Sequence, residues 1–224
     1  MNAKEIFTFL KELSTHNTRE WMQAHKTSFL SARQDFEEAA MSMLHELETR
    51  DEEIGSAHLT VKDVTFRINR DIRFSPDKSP YKNHFGAFFC AKGKKSLRGG
   101  YYFHLEPDHC MVAVGNYWLP TNILNACRWD IINSIELFHS LVETPEFKKH
   151  FPNGFGLSKL KTCPSGFPKD FPYMDYLRAK DYCCWKNVPD TFFMNKNWME
   201  EAIDIFMAGK PMMDFVNSTI DDYE

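Results

Sequence analysis

The sequence predicts an α+β fold, with one antiparallel sheet of about four to five strands covered by N-terminal and C-terminal helices. Three observations lead there. Apolar residues recur at helical spacing as far as Leu47. The period changes to two between Val61 and Gly115, and helical spacing returns from Thr121 onward. Helices, then a run of strands, then helices is the order of an α+β domain rather than of alternating βαβ units. A chain of 224 residues is expected to form a single domain over 1–224.

Taken in order, Ile6, Phe9, Leu10 and Leu13 mark a first helix. Asn17-Thr18-Arg19-Glu20 reads as a capping box with Asn17 as the cap, opening a second helical stretch with Trp21 and His25. Phe29, Ala32, Phe36, Ala39, Ala40, Met43, Leu44 and Leu47 form a long core stripe. Val64, Phe66 and Ile68 then alternate with Thr65, Arg67 and Asn69, which predicts a strand buried on one face, with the Glu20–Glu48 helical region packed against it. Phe85 to Ala91, Gly100 to Glu106 and Cys110 to Gly115 read as three further strands joined by turn-like links, so sequential antiparallel pairing is expected. Thr121 is placed to cap a helix with Ile123, Leu124, Cys127, Ile131, Ile135 and Phe138 on its inner side, and Thr144-Pro145 starts a short one. After a Pro- and Gly-rich stretch, Lys180 to Val188 reads as an edge strand. Asn197 to Glu200 opens a helix through Ala208, Gly209 is expected to stop it, and Pro211 to begin the last helix.

Composition bounds the function. The 20 Phe, 8 Tyr and 5 Trp supply a large core and exclude a disordered chain. A net charge of −4 argues against a general polynucleotide binder, so nucleic acid is not an expected partner except through a local patch. The six cysteines contain no CxxC pair, as befits free thiols in a reducing compartment. No stretch approaches the roughly 18 apolar residues of a membrane span, and the start lacks a signal-peptide core, so a cytoplasmic protein without a membrane partner is expected. Oligomeric state is left open. No Walker or dinucleotide glycine pattern, nucleophile elbow or H-x-x-x-H pair is present, so neither a cofactor nor a metal is expected.

The chemistry concentrates between Arg67 and Arg98, where nine Lys/Arg face two acids, Asp71 and Asp77, in an otherwise acidic chain. Arginine grips carboxylate or phosphate in a two-point fork. Arg67, Arg70, Arg73, Lys78, Tyr81 and Lys82 are therefore candidate ligand-binding residues for an anion. The competing account makes Arg70-Asp71 and Asp77-Lys78 ion pairs that only hold a hairpin connection. Tyr102, His104 and Glu106 share one face of a predicted strand. His104 with Glu106 is a candidate general acid/base pair, or else a hydrogen-bonded sheet histidine. Trp21 is a core anchor or a stacking platform. Three readings stay open: a module binding a phosphate- or carboxylate-bearing ligand, an enzyme acting on a phosphorylated small molecule or nucleotide with His104 moving the proton, and, weakest, a nucleic-acid contact surface.

Arg67-x-x-Arg70-Asp71-x-Arg73-Phe74-Ser75-x-Asp77-Lys78-Ser79-Pro80-Tyr81-Lys82 resembles the signature of the family known as domain of unknown function 2461. The resemblance continues in Arg19-Glu20-Trp21, in Gly99 to Leu105, at Arg128, in Leu160-Lys161-x-x-Pro164-x-Gly166-Phe167 and in Leu177 to Lys180, so it spans nearly the whole chain. Met22 departs from the aromatic residue expected after Trp21. The resemblance implies one domain and brings no activity, substrate or catalytic residue with it.

Overall fold

A computed structural model of the chain describes residues 1–223. Helix α1 (Ala3–Thr15) buries Ile6, Phe9, Leu10 and Leu13, as their spacing requires. Helix α2 (Arg19–Ala24) is capped by Thr18, whose hydroxyl accepts the Trp21 N–H. The expected cap, Asn17, is engaged elsewhere. Helix α3 (Lys26–Arg50) buries the predicted stripe from Ala32 to Leu47. The short helices α4 (Glu52–Ser56) and α5 (Val61–Val64) follow, then β1 (Phe85–Phe89), β2 (Gly100–Leu105) and β3 (Met111–Asn116). The chain continues through α6 (Thr121–Asn133), α7 (Ile135–Val142), α8 (Pro145–His150) and α9 (Met174–Arg178) to β4 (Tyr182–Asn187). Helices α10 (Asp190–Met194) and α11 (Trp198–Asp221) complete it. The strands form one open antiparallel sheet in the order β1-β2-β3-β4, so the α+β class holds and the last strand lies at an edge. No described helix is long and apolar enough to cross a membrane.

Four expectations are corrected. The Val61–Ile68 strand begins instead as α5, because the Asp63 carboxylate accepts the Thr60 N–H (2.8 Å) and hydroxyl (2.5 Å) in a capping box. Beyond it the chain is extended but bridged only at single residues, Thr65 to Ala87 and Asn69 to Tyr81. Phe66 does not face the core there, and 40% of it is exposed. The helix expected from Thr121 to Phe138 is broken at Ser134, and its cap is Pro120 without a side-chain bond. Lastly, α11 runs through Gly209 and Pro211. A helical Gly costs about 1 kcal/mol and a Pro about 3 relative to Ala. Beyond them Met212, Met213, Val216 and Ile220 are buried, at about 1.5–3 kcal/mol each, so burial outweighs propensity. Gly209 also fits for a positive reason: a Cβ there would come 2.2 Å from Val114 Cγ1.

By packing, the chain divides into two compact units. The first comprises Met1–Lys94, Tyr102–Val112 and Asn187–Ile203. Its core is aromatic. Phe36 lies 5.2 Å from Phe85 and 5.4 Å from Phe103, and Phe103 also meets Phe193 and Trp198. The second comprises Lys95–Tyr101, Ala113–Lys186 and the chain from Asp204 on. It is centred on Phe138, which packs edge-on to Phe155, Tyr176 and Phe215. The candidate site lies within the first unit.

Candidate functional site

Strand β2 sets the site through its period of two. Tyr101, Phe103 and Leu105 are fully buried on one face, which leaves Tyr102, His104 and the following Glu106 together on the other. Gly86 of β1 makes room for Tyr102, since a Cβ there would come 2.5 Å from the phenol oxygen. Asn83 and His84, just before β1, complete the group. They are positioned by a short ribbon in which Lys82 N–H donates to Ile68 C=O (2.8 Å) and Arg70 N–H to Pro80 C=O (3.0 Å). Tyr81 sits between these bonds, so its own N–H and C=O point outward. Asn17 takes both: its side-chain amide accepts the Tyr81 N–H (3.1 Å) and donates to the Tyr81 C=O (3.0 Å).

The polar groups form a continuous chain. Tyr102 Oη lies 2.7 Å from His104 Nδ1, and His104 Nε2 lies 2.9 Å from Glu106 Oε2. Asn83 Nδ2 donates to Glu106 Oε1 at 2.8 Å. The His84 ring lies beside the His104 ring, with centroids 4.4 Å apart. Above this group Phe66 meets Tyr102 edge-on at 6.4 Å. The Lys82 and Lys94 ammonium groups each lie about 5.5 Å from the Phe66 ring centre, which accounts for an exposed Phe where alternation predicts a buried one.

The candidate anion-binding residues separate into two sets. Arg70 pairs with Asp77 and reaches Ser75 Oγ at 3.4 Å. Arg73 forks onto Asp71 at 2.9 and 2.6 Å, with 76% of its side chain exposed. Lys78 donates to the Ile72 carbonyl at 3.0 Å. These three are spent within their own loop, although in pairings other than the sequence suggests. Tyr81 is held through its backbone by Asn17. Arg67 and Lys82 differ: among the described residues, no carboxylate lies within ion-pair distance of either. Trp21 stacks on His25 at 4.1 Å and lies 5.9 Å from Phe9.

Burial sets the charge states. It pushes the His84 imidazole down to about 4, helped by His104 and by Lys82 and Arg70 and opposed by Glu106. His104 is also lowered by burial, against the raising effect of its Glu106 bond. Burial works to raise Glu106, but the bonds from His104 and Asn83 hold it below the usual carboxylate value. Lys82 is lowered by burial and by neighbouring Arg67. At neutral pH the site is thus two neutral imidazoles and one carboxylate, with the Lys82 and Lys94 ammonium groups beside it.

Sequence reasoning finds His104, Glu106, Arg67 and Lys82 but passes over Asn83, His84 and Phe66. Pairing of β1 with β2 brings Asn83 and His84 to the cluster, and no local pattern announces it. The chain belongs to the family described as Conserved hypothetical protein (DUF2461), which matches residues 5–215. No curated protein matches the chain. No solved structure matches it.

Proposed function

We propose that this protein binds a small phosphate- or carboxylate-bearing molecule on the face formed by Arg67, Lys82 and the Tyr102–His104–Glu106 group. The observation that carries this reading is the contrast among the cations. Arg70, Arg73 and Lys78 are neutralised or hydrogen-bonded inside their loop, whereas among the described residues no carboxylate lies within ion-pair distance of Arg67 or Lys82. Placing two like charges together and partly burying one costs free energy, and an anionic ligand offsets it.

Thermal unfolding against phosphate, pyrophosphate, citrate and nucleoside monophosphates tests the reading. A ligand at a hundred times its Kd stabilises by about 2.7 kcal/mol, or roughly 5–10 °C for a chain of this size. Lys82→Gln and Arg67→Gln are expected to abolish that shift and Arg73→Gln to keep it. Equal loss in all three, or no shift with any anion, overturns it.

The hydrogen-bonded chain favours a second reading, turnover of a phosphorylated small molecule. Both His104 nitrogens are engaged, so a proton exchanged with a ligand would pass through the Tyr102 hydroxyl or the Glu106 carboxylate. Release of phosphate from a metabolite panel, lost in His104→Asn, is the measurement that distinguishes turnover from binding.

A further inference from the structure

We propose that His84, His104 and Glu106 form a binding site for a divalent first-row transition-metal ion. One ligand atom from each of the three lies within 4.8 Å of the others. Bonds of about 2.0–2.2 Å to nitrogen and oxygen place neighbouring ligands roughly 3–3.5 Å apart. His104 Nε2 and Glu106 Oε2, at 2.9 Å, are already close to that separation. Only His84 has to close in, by about 1.5 Å, and no described residue hydrogen-bonds its ring.

The surrounding bonds are those that ligands of this kind require. A metal-bound histidine donates its other ring N–H to a neighbour, which fixes its orientation. Tyr102 Oη, 2.7 Å from His104 Nδ1, is placed to accept that proton. A ligating carboxylate keeps a hydrogen bond on its second oxygen, and Asn83 supplies it at 2.8 Å. Loading the ion replaces the His104–Glu106 hydrogen bond by two bonds to metal. The imidazole proton then resides on Nδ1.

Chemistry of the donor set selects the class of ion. Two imidazoles and one carboxylate suit Zn²⁺, Co²⁺, Fe²⁺ or Mn²⁺, whereas Ca²⁺ and Mg²⁺ prefer oxygen donors. Three protein ligands leave coordination positions open, as in catalytic rather than structural sites. A purely structural role accounts for His104, which Tyr102 and Glu106 satisfy, but it leaves the half-buried His84 ring packed against His104 without a hydrogen bond to a described residue. The inference goes beyond the anion-binding reading, because the chain alone supplies the three ligands.

The test is a titration of chelator-stripped protein with Co²⁺, in buffer free of phosphate and carboxylate, read by visible absorption and by calorimetry. Wild type is expected to bind one ion per chain. His84→Ala and Glu106→Gln are expected to weaken binding at least about 100-fold, and Asn83→Ala about 10-fold or more. Cys163→Ala, at a thiol that is not among the three ligands, is expected to bind like wild type. Urea unfolding of each stripped variant confirms that it folds. If Glu106→Gln does not fold, His84→Ala decides alone, since that ring holds no hydrogen bond to another described residue. Absence of uptake by wild type, or wild-type affinity in His84→Ala, overturns the proposal.

Discussion

Replacing Gly86 with Ala places a methyl group where the Tyr102 phenol lies, so its cost is coupled to the hydroxyl. The new Cβ would stand 2.5 Å from Tyr102 Oη and 3.0 and 3.1 Å from two ring carbons, whereas ordinary contact begins near 3.4 Å. The ring must move by several tenths of an ångström, which disturbs its 2.7 Å bond with His104 Nδ1. Overpacking of this kind costs about 1–3 kcal/mol, and loss of the Tyr102–His104 bond adds about 1. The restricted backbone of Ala returns about 0.5–1 kcal/mol, leaving a net loss of about 1–3.5 kcal/mol. With Tyr102→Phe the closest contact disappears and only the milder ring contacts remain, so Gly86→Ala then costs about 1 kcal/mol or less. Equilibrium unfolding in guanidinium chloride of wild type, both single variants and the double variant measures the coupling, expected at about 1 kcal/mol in magnitude. Additivity to within about 0.5 kcal/mol would refute the geometry assigned to the site.

The second compact unit contains a more severe glycine. Gly115 has φ +116°, and a Cβ there would come 2.1 Å from the Tyr182 carbonyl oxygen, so Gly115→Ala is expected to destabilise by about 3–5 kcal/mol from backbone strain and displaced strands together; urea unfolding checks it. Burial pushes the Cys110, Cys127 and Cys183 thiols up to about 12. Relative to an ordinary thiol this leaves each about a thousandth of the thiolate at pH 8. Thiol titration of the native protein is therefore expected to show fast reaction at Cys163, the one cysteine that is not buried, and to reach all six cysteines only in denaturant. The Arg73–Asp71 pair lies at the solvent-exposed surface, so Arg73→Lys is expected to leave the melting temperature at the wild-type value. Labelled oligonucleotides at about 150 mM salt are expected to show no sub-micromolar binding, because such salt screens exposed charges beyond about 8 Å and the chain carries net −4.

Local periodicity is a strong guide wherever one element decides burial by itself. Ile6 to Leu13, the stripe from Ala32 to Leu47 and the alternation from Tyr101 to Glu106 all fold as their spacing requires. It misleads where a side chain answers to something outside its own element. Phe66 alternates like a core residue but lies under two lysine ammonium groups. Asn17 looks like a helix cap but serves the Tyr81 backbone. Gly209 and Pro211 look like a helix end, yet the apolar stripe continues through them. The site follows the same rule. His104 and Glu106 are legible because they share a strand, whereas His84 becomes visible only through strand pairing. The roles of Arg70 and Arg73 depend on which loop acid each reaches, and sequence order does not decide that.

The contact between Asn17 and Tyr81 has a consequence for the order in which the molecule assembles. One amide stands in for the residue that a neighbouring strand would pair with Tyr81, and it comes from 64 positions earlier in the chain. Closing so long a loop for two hydrogen bonds is entropically costly unless the intervening segment is already compact. The ribbon that delivers Lys82 and His84 therefore completes after the N-terminal helices have docked, and its outer rim stays open to water until then. Chains captured early in refolding are expected to contain the helices before they contain the site.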